Sequence, residues 1–128
     1  SMSGSVYRGP LAGAATLTIN GEVWNVVGEL QFQASGNVNE TLKGQSAVEG
    51  FATMPGQGFI QATLRDRRDV DCFQYQGASG LTAIGQLANG KVITVDNGWQ
   101  VETISLNTQE GTWEIHIESD SVVVDVVS

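Results

Sequence analysis

Apolar and polar residues alternate with a period of two over most of the chain, the signature of strands with one buried face. Ala15, Leu17 and Ile19 alternate with Thr16 and Thr18 and run into Asn20-Gly21, a turn signal that predicts a hairpin. In the next run Trp24, Val26, Gly28, Leu30 and Phe32 share one face, and Gly28 midway predicts a bulge or bend. Ile60, Ala62 and Leu64 form a third strand. Residues 81–88 and 91–95 meet across Asn89-Gly90, a second hairpin signal in which both central residues are expected at positive φ. Asp96-Asn97-Gly98 reads as a turn into a strand from Trp99 to Leu106, whose apolar face switches near Thr103. Trp113, Ile115 and Ile117 then alternate with Glu114, His116 and Glu118, and Val122 to Val127 is a last β-branched run.

Two stretches break the pattern. Ser35 to Gly58 is polar, carries five glycines and one proline, and has no clean period. A loop of that length in a compact domain is functional or disordered, and we assign it to residues 36–57. Asp66 to Gln76 is the one credible helix, with Asp66 or Asp69 as cap, Val70 and Phe73 on one face and Gly77 as stop. The expectation is therefore all-β: an antiparallel sandwich or barrel of about seven strands with one short flanking helix. The 128 residues suit one domain, 9–128, while Ser1-Met2-Ser3-Gly4-Ser5 reads as a cloning scar and 1–8 as a disordered N-terminus.

Charge narrows the function classes. Fourteen acidic residues against six basic ones give −8, which argues against binding nucleic acid through phosphate contacts. Arg65, Arg67 and Arg68 cluster, but Asp66, Asp69 and Asp71 lie among them. No apolar run is long enough to span a bilayer, no membrane association is expected, and no basic segment followed by an apolar one suggests a signal peptide. The single cysteine, Cys72, cannot form an internal disulfide and fits a packed apolar side chain better than a reactive thiol. Asn39-Glu40-Thr41 matches a glycosylation sequon, but without a secretory signal it carries no weight.

Catalytic chemistry has little to stand on. His116 is the only histidine, and Glu114, His116 and Glu118 leave one strand about 7 Å apart, too divergent for a metal site without ligands from elsewhere. There is no nucleophile elbow. Pro55-Gly56-Gln57-Gly58 precedes a strand and is too short for a phosphate loop. No pair among the acids is marked out for glycoside hydrolysis, and the Asp66-Asp69-Asp71 spacing lacks the EF-hand pattern. The three tryptophans alternate inward with aliphatic residues and are expected in the core. We expect no enzyme activity, no cofactor and no metal. Many strands, open edges and a long polar loop point instead to an assembling subunit.

Several motifs in register resemble one family. Ile60-Gln61-Ala62-Thr63-Leu64-Arg65-Asp66, the preceding Thr41-Leu42-Lys43-Gly44-Gln45 with Val48, Gly50 and Met54-Pro55, then Leu87-Ala88-Asn89-Gly90-Lys91, Trp99 and Glu110-Gly111-Thr112-Trp113-Glu114 are similar to tail tube proteins of Mu-like, contractile-tailed bacteriophages. The similarity runs from about Leu11 to about Ser119. It implies a structural virion protein whose copies form rings, usually hexameric, stacked into a hollow tube inside a sheath, in a tail assembled in the host bacterial cytoplasm. DNA would pass down the lumen without specific binding. The partners it implies are other copies of the chain and the sheath, tape-measure and baseplate proteins. Under this reading the loop carries the inter-subunit contacts, with Asn39, Thr41, Leu42, Lys43, Gly44, Val48 and Met54 as candidates, poorly ordered in a free subunit and ordered in a tube. Lumen-facing candidates are Glu114, His116 and Glu118, then Glu29, Gln31 and Gln33. Alternatives are a type VI secretion or bacteriocin tube subunit, and a small glycan- or ligand-binding β domain whose tryptophans line an open site.

Overall fold

In a computed structural model, the structure describes residues 15–36 and 56–126. The expected N-terminal segment and most of the polar loop, including all seven loop candidates, lie outside the described residues. The strands are β1 (Thr16–Ile19), β2 (Glu22–Gln33), β3 (Gly58–Arg65), β4 (Ser79–Gln86), β5 (Lys91–Gln100), β6 (Leu106–Asn107), β7 (Thr112–Ser119) and β8 (Ser121–Val126). All pair antiparallel in the order β6-β7-β3-β2-β1-β4-β5-β8. A further pairing, Trp99↔Glu118 and Gln100↔Ile117, joins β5 to β7. The ring β7-β3-β2-β1-β4-β5 thus closes into a six-stranded barrel, with β8 and the two-residue β6 outside it. The all-β antiparallel expectation holds.

The interior is filled by the inward halves of the alternating runs. Leu17, Ile19, Trp24, Ile60, Leu64, Ile93, Val95, Ile115 and Ile117 are fully buried. At one end Trp24, Tyr75 and Trp113 pack together. Trp24 meets Trp113 edge-on at 5.0 Å, Tyr75 stacks on Trp113 at 5.8 Å, and Trp24 Nε1 donates to Tyr75 Oη at 3.1 Å. Such pairs add about 0.5–1.5 kcal/mol each beyond burial.

Four local expectations change. The helix over 66–76 shortens to one 3-10 turn, Cys72–Tyr75, preceded by a tight Arg67↔Val70 bridge. Arg67 explains why: its guanidinium makes paired bonds to Asp69 at 3.0 and 2.8 Å and reaches Glu22 and the Val23 carbonyl, holding the chain in a knuckle. Asp96-Asn97-Gly98 is a bulge inside continuous β5 rather than a turn between strands, with Asn97 at φ 52. The run expected from Trp99 to Leu106 is instead the end of β5, an irregular segment and β6. As a result Trp99 points outward, half-buried, while Gln100 is buried. In the β4–β5 hairpin only Gly90 has positive φ; the Leu87 N–H bonds the Lys91 carbonyl and Gly90 N–H the Leu87 carbonyl, a loop longer than two residues. By contrast Asn20 and Gly21 take φ 47 and 88 as the two-residue turn requires, and Gly28, at φ 84, sits in a bulge between Val26 and Leu30.

Gly98 lies where β5 closes onto β7, with no room for a side chain. A Cβ there would lie 2.6 Å from Ile117 Cγ2 and 3.1 Å from both the Glu118 carbonyl and Val95 Cγ1. We expect Gly98→Ala to destabilise the fold by about 1–3 kcal/mol, read by thermal or urea denaturation. Gly21→Ala is a turn control whose added Cβ meets nothing, so its penalty comes from backbone conformation alone.

Candidate functional site

The candidate residues on β2 and β7, distant in sequence, fall on one surface. β3 lies between the two strands, pairing Gln31↔Gln61 on one side and Gln61↔His116 on the other, then Gln33↔Phe59 and Phe59↔Glu118. Their inward neighbours are Ile60, Ala62, Ile115 and Ile117, so alternation turns Gln31, Gln33, Gln61, His116 and Glu118 outward. Glu29, in the bulge, joins Gln31, Thr63 and Glu114 around a shallow hollow of about 240 Å³. Glu29, Gln31, Gln33 and Glu114 are exposed, whereas His116 and Glu118 are only partly so.

The β5–β7 junction adds a residue that sequence alone did not single out. Glu102 sits at φ 74 in the segment after β5 and places Oε2 3.2 Å from His116 Nδ1. Glu118 Oε2 lies 3.8 Å from His116 Nε2, and the Phe59 ring packs against the imidazole at 5.4 Å. Gln100 holds this segment in place. Its Oε1 accepts from Gly77 N–H at 2.7 Å, and its Nε2 donates to the Val101 and Glu102 carbonyls at 2.8 and 2.6 Å. Gln76 Oε1 accepts from Ile104 N–H at 2.8 Å. A groove of about 470 Å³, lined in part by Gln61, Thr63, Glu102, Glu114 and His116, runs along this edge.

The face therefore carries carboxylates, amides, a threonine and one imidazole. Of the described Lys and Arg residues, Arg65, Arg67, Arg68 and Lys91, Arg65 alone falls on this face, as the last outward position of β3 after Phe59, Gln61 and Thr63. Arg65 leaves the end of β3 to donate to the Glu110 carbonyl at 2.6 Å, and the other two arginines belong to the knuckle. Among the described residues no three His, Cys, Asp or Glu side chains converge as a metal site.

The opposite wall differs. Val23, Thr18, Ile84, Thr94 and Val123 lie directly across from one another on five adjacent strands, an uncharged row in which Val23 and Val123 are about half exposed. Two tryptophans are core residues, Trp24 at 0% and Trp113 at 1% exposure, which removes them from any open ligand site. The described ends of the long loop are tied together, with Gly36 N–H donating to the Gly56 carbonyl at 2.8 Å and Ser35 bonded to Val122 on β8. Cys72 is 2% exposed, and burial, with Asp66 and Asp71 nearby, pushes its thiol pKa up.

The described residues form a closed antiparallel β-barrel that turns one acid-and-amide face to the outside, and this barrel class is what the comparisons with known proteins must match. A family model for phage tail tube proteins matches residues 9–124, so the chain belongs to the phage tail tube protein family. It is similar to the Mu-like prophage FluMu tail tube protein of Haemophilus influenzae, 27% identical over 95 residues, which covers 74% of this chain and 80% of that one. The family is one of structural tail components rather than enzymes.

Two measurements check the site. Gln100→Ala strands the Gly77 N–H and removes the donors to two carbonyls, and we expect a loss of about 2–3 kcal/mol in urea denaturation. Cys72 in the native protein should react with a soluble thiol reagent at least about tenfold more slowly than in the urea-unfolded chain.

Proposed function

We propose that copies of this chain assemble into stacked rings, hexameric as the resemblance implies, that form the inner tail tube. In that tube the outer face of β2, β3 and β7 lines the lumen through which DNA passes. The observation that carries this reading is the gathering of Glu29, Gln31, Glu114, His116 and Glu118 on one face whose single described cation, Arg65, stands at its end and donates to the Glu110 carbonyl.

The physical logic is repulsion. A conduit for a polyanion must not hold it, and phosphate binding needs cations that release counterions. Neighbouring carboxylates on this face fall within roughly one Debye length, about 8–10 Å, of each other. A ring of copies would repeat them around the channel, giving a negative field that keeps DNA centred and mobile. The neutral wall, with Val23, Ile84 and Val123, is then left for protein contacts. Sheath, tape-measure and baseplate proteins are the expected neighbours, and the particle's tail, assembled in the host cytoplasm, is the expected location.

Electron microscopy of the concentrated protein tests the assembly, with stacked rings or tubes as the expected result. In phage carrying Glu114→Lys with Glu118→Lys we expect tubes of normal appearance and DNA ejection slowed about tenfold or more, relieved by added salt. Unchanged ejection overturns the lumen assignment. Deleting residues 39–48 should leave a folded subunit that does not polymerise, and tubes formed by the deleted chain would remove the loop's contact role.

A further inference from the structure

Three Asn-Gly dipeptides punctuate the sheet, Asn20-Gly21, Asn89-Gly90 and Asn97-Gly98, and all three asparagines are exposed. Asparagine before glycine is chemically labile, because the glycine nitrogen approaches the side-chain amide with no side chain of its own in the way. The approach needs rotation about the asparagine Cα–C bond and a released glycine N–H, so the way each dipeptide is held sets its rate. Asn20 is held by another strand: its N–H donates to the Thr82 carbonyl and its Oδ1 accepts from Thr82 N–H, both at 2.9 Å. Asn97 lies in the β5 bulge between two ladder pairs to β4, Val95↔Ala83 and Gly98↔Leu81, and Gly98 is buried with no room for movement toward a side chain. Asn89 sits outside the left-handed region, and the bonds that hold its loop are local. Gly90 N–H donates to the Leu87 carbonyl at 3.1 Å, Leu87 N–H to the Lys91 carbonyl at 3.0 Å and Lys91 N–H to Asn89 Oδ1 at 3.1 Å. These open together when the tip frays, without any strand leaving the barrel, and loop tips open at the lowest free-energy cost.

We propose that Asn89, at the tip of the β4–β5 hairpin, is a modification site that deamidates spontaneously, while the fold protects Asn20 and Asn97. The Gly90 nitrogen gives its proton to hydroxide and attacks Asn89 Cγ. The N–Cγ bond forms, the Cγ–Nδ2 bond breaks, and Nδ2 leaves as ammonia with a proton from water. Water then opens the cyclic imide. Addition at Cγ breaks the bond just made and leaves aspartate. Addition at the backbone carbonyl carbon breaks its bond to the Gly90 nitrogen and leaves isoaspartate, with the chain running through Cγ. In both cases water replaces ammonia, and nothing is oxidised or reduced. The new carboxylate stands where Asn89 shares a hollow of about 270 Å³ with Glu29, two residues before Lys91, so each modified copy gains a negative charge beside the acidic face. The site belongs to the single chain and does not depend on the tube reading.

The test incubates the full chain in mildly alkaline buffer, folded and in parallel unfolded in guanidinium chloride, and follows its peptides by mass spectrometry. Cleavage after Arg68 and Lys91 leaves Asn89 as the only asparagine of its peptide, and fragment ions assign Asn20 and Asn97 in theirs. In the folded chain we expect Asn89 to take on the mass of the amide-to-acid exchange at least about tenfold faster than Asn20 or Asn97. In the unfolded chain the three rates should fall within about threefold of one another, because each is then a solvated Asn-Gly. Asn20 or Asn97 matching Asn89 in the folded chain overturns the assignment. So does an Asn89 that stays intact in the folded chain while the unfolded chain is modified. A tenfold preference for Asn89 that persists in guanidinium belongs to the local sequence and overturns the role given to the fold.

Discussion

Closure of the barrel depends on bending one strand. β5 pairs with β4 and β8 along Lys91–Val95, yet its last two residues must cross to β7. A regular strand would carry straight on at the edge of an open sheet. The bulge at Asp96–Gly98 supplies the bend, with Asn97 in the left-handed region and Gly98 leaving the space that Ile117 fills. An extra residue in one strand increases local twist and turns its direction, which is how sheets form corners. Two residue pairs complete the ring, so a side chain at Gly98 would act on its shortest ladder.

That joint also sets the surface chemistry. Once Gln100 is turned inward, its amide must be satisfied, and it is: it takes one N–H from the 3-10 region and gives two to the carbonyls that follow β5. Those bonds hold Glu102 at positive φ, a conformation costly for a residue with a side chain. The result is a carboxylate delivered to His116 from a different element. The acidic face is thus partly a product of β7's own alternation and partly a product of how the barrel shuts.

How far the sequence reveals this follows the range of the interactions. Alternation identified the inward residues of β1, β3 and β7 because each strand reports its own buried face, and Asn20-Gly21 and Gly28 announced themselves because few residues adopt positive φ. The β5 bulge was hidden because Asp-Asn-Gly has the same composition as a turn, and only the pairing with β4 before and after it, and with β7 beyond it, shows that the strand continues. Trp99 was misplaced for the same reason, since one extra residue reverses every later side chain. The 66–76 stretch has helical spacing, but Arg67 finds Asp69, Glu22 and the Trp24 ring within reach, and tertiary contacts outweigh a weak local propensity. Of the candidate site, the β2 and β7 positions were legible as polar faces. Their union was not, because β3, which joins them, contributes Phe59, Gln61 and Thr63 and carries no charge before Arg65 at its end.

A chain of net charge −8 that associates with itself has to solve a repulsion problem, and the distribution of its charges bears on how. At physiological salt a charge is felt over about 8 Å, so copies respond to the patches they bring together and much less to the total. On this barrel the patches are sorted. Glu29, Glu114 and Glu118 share one face with the amides of β2 and β3, an uncharged β-branched row crosses the other, and at one end three arginines are interleaved with Asp66, Asp69 and Asp71. Copies arranged around a common axis with the acidic faces inward would hold those faces apart across a channel, where repulsion costs least and has a use. The neutral walls would then meet protein. The same net charge that opposes random aggregation leaves this ordered arrangement open, because it is the arrangement in which like charges stay far apart.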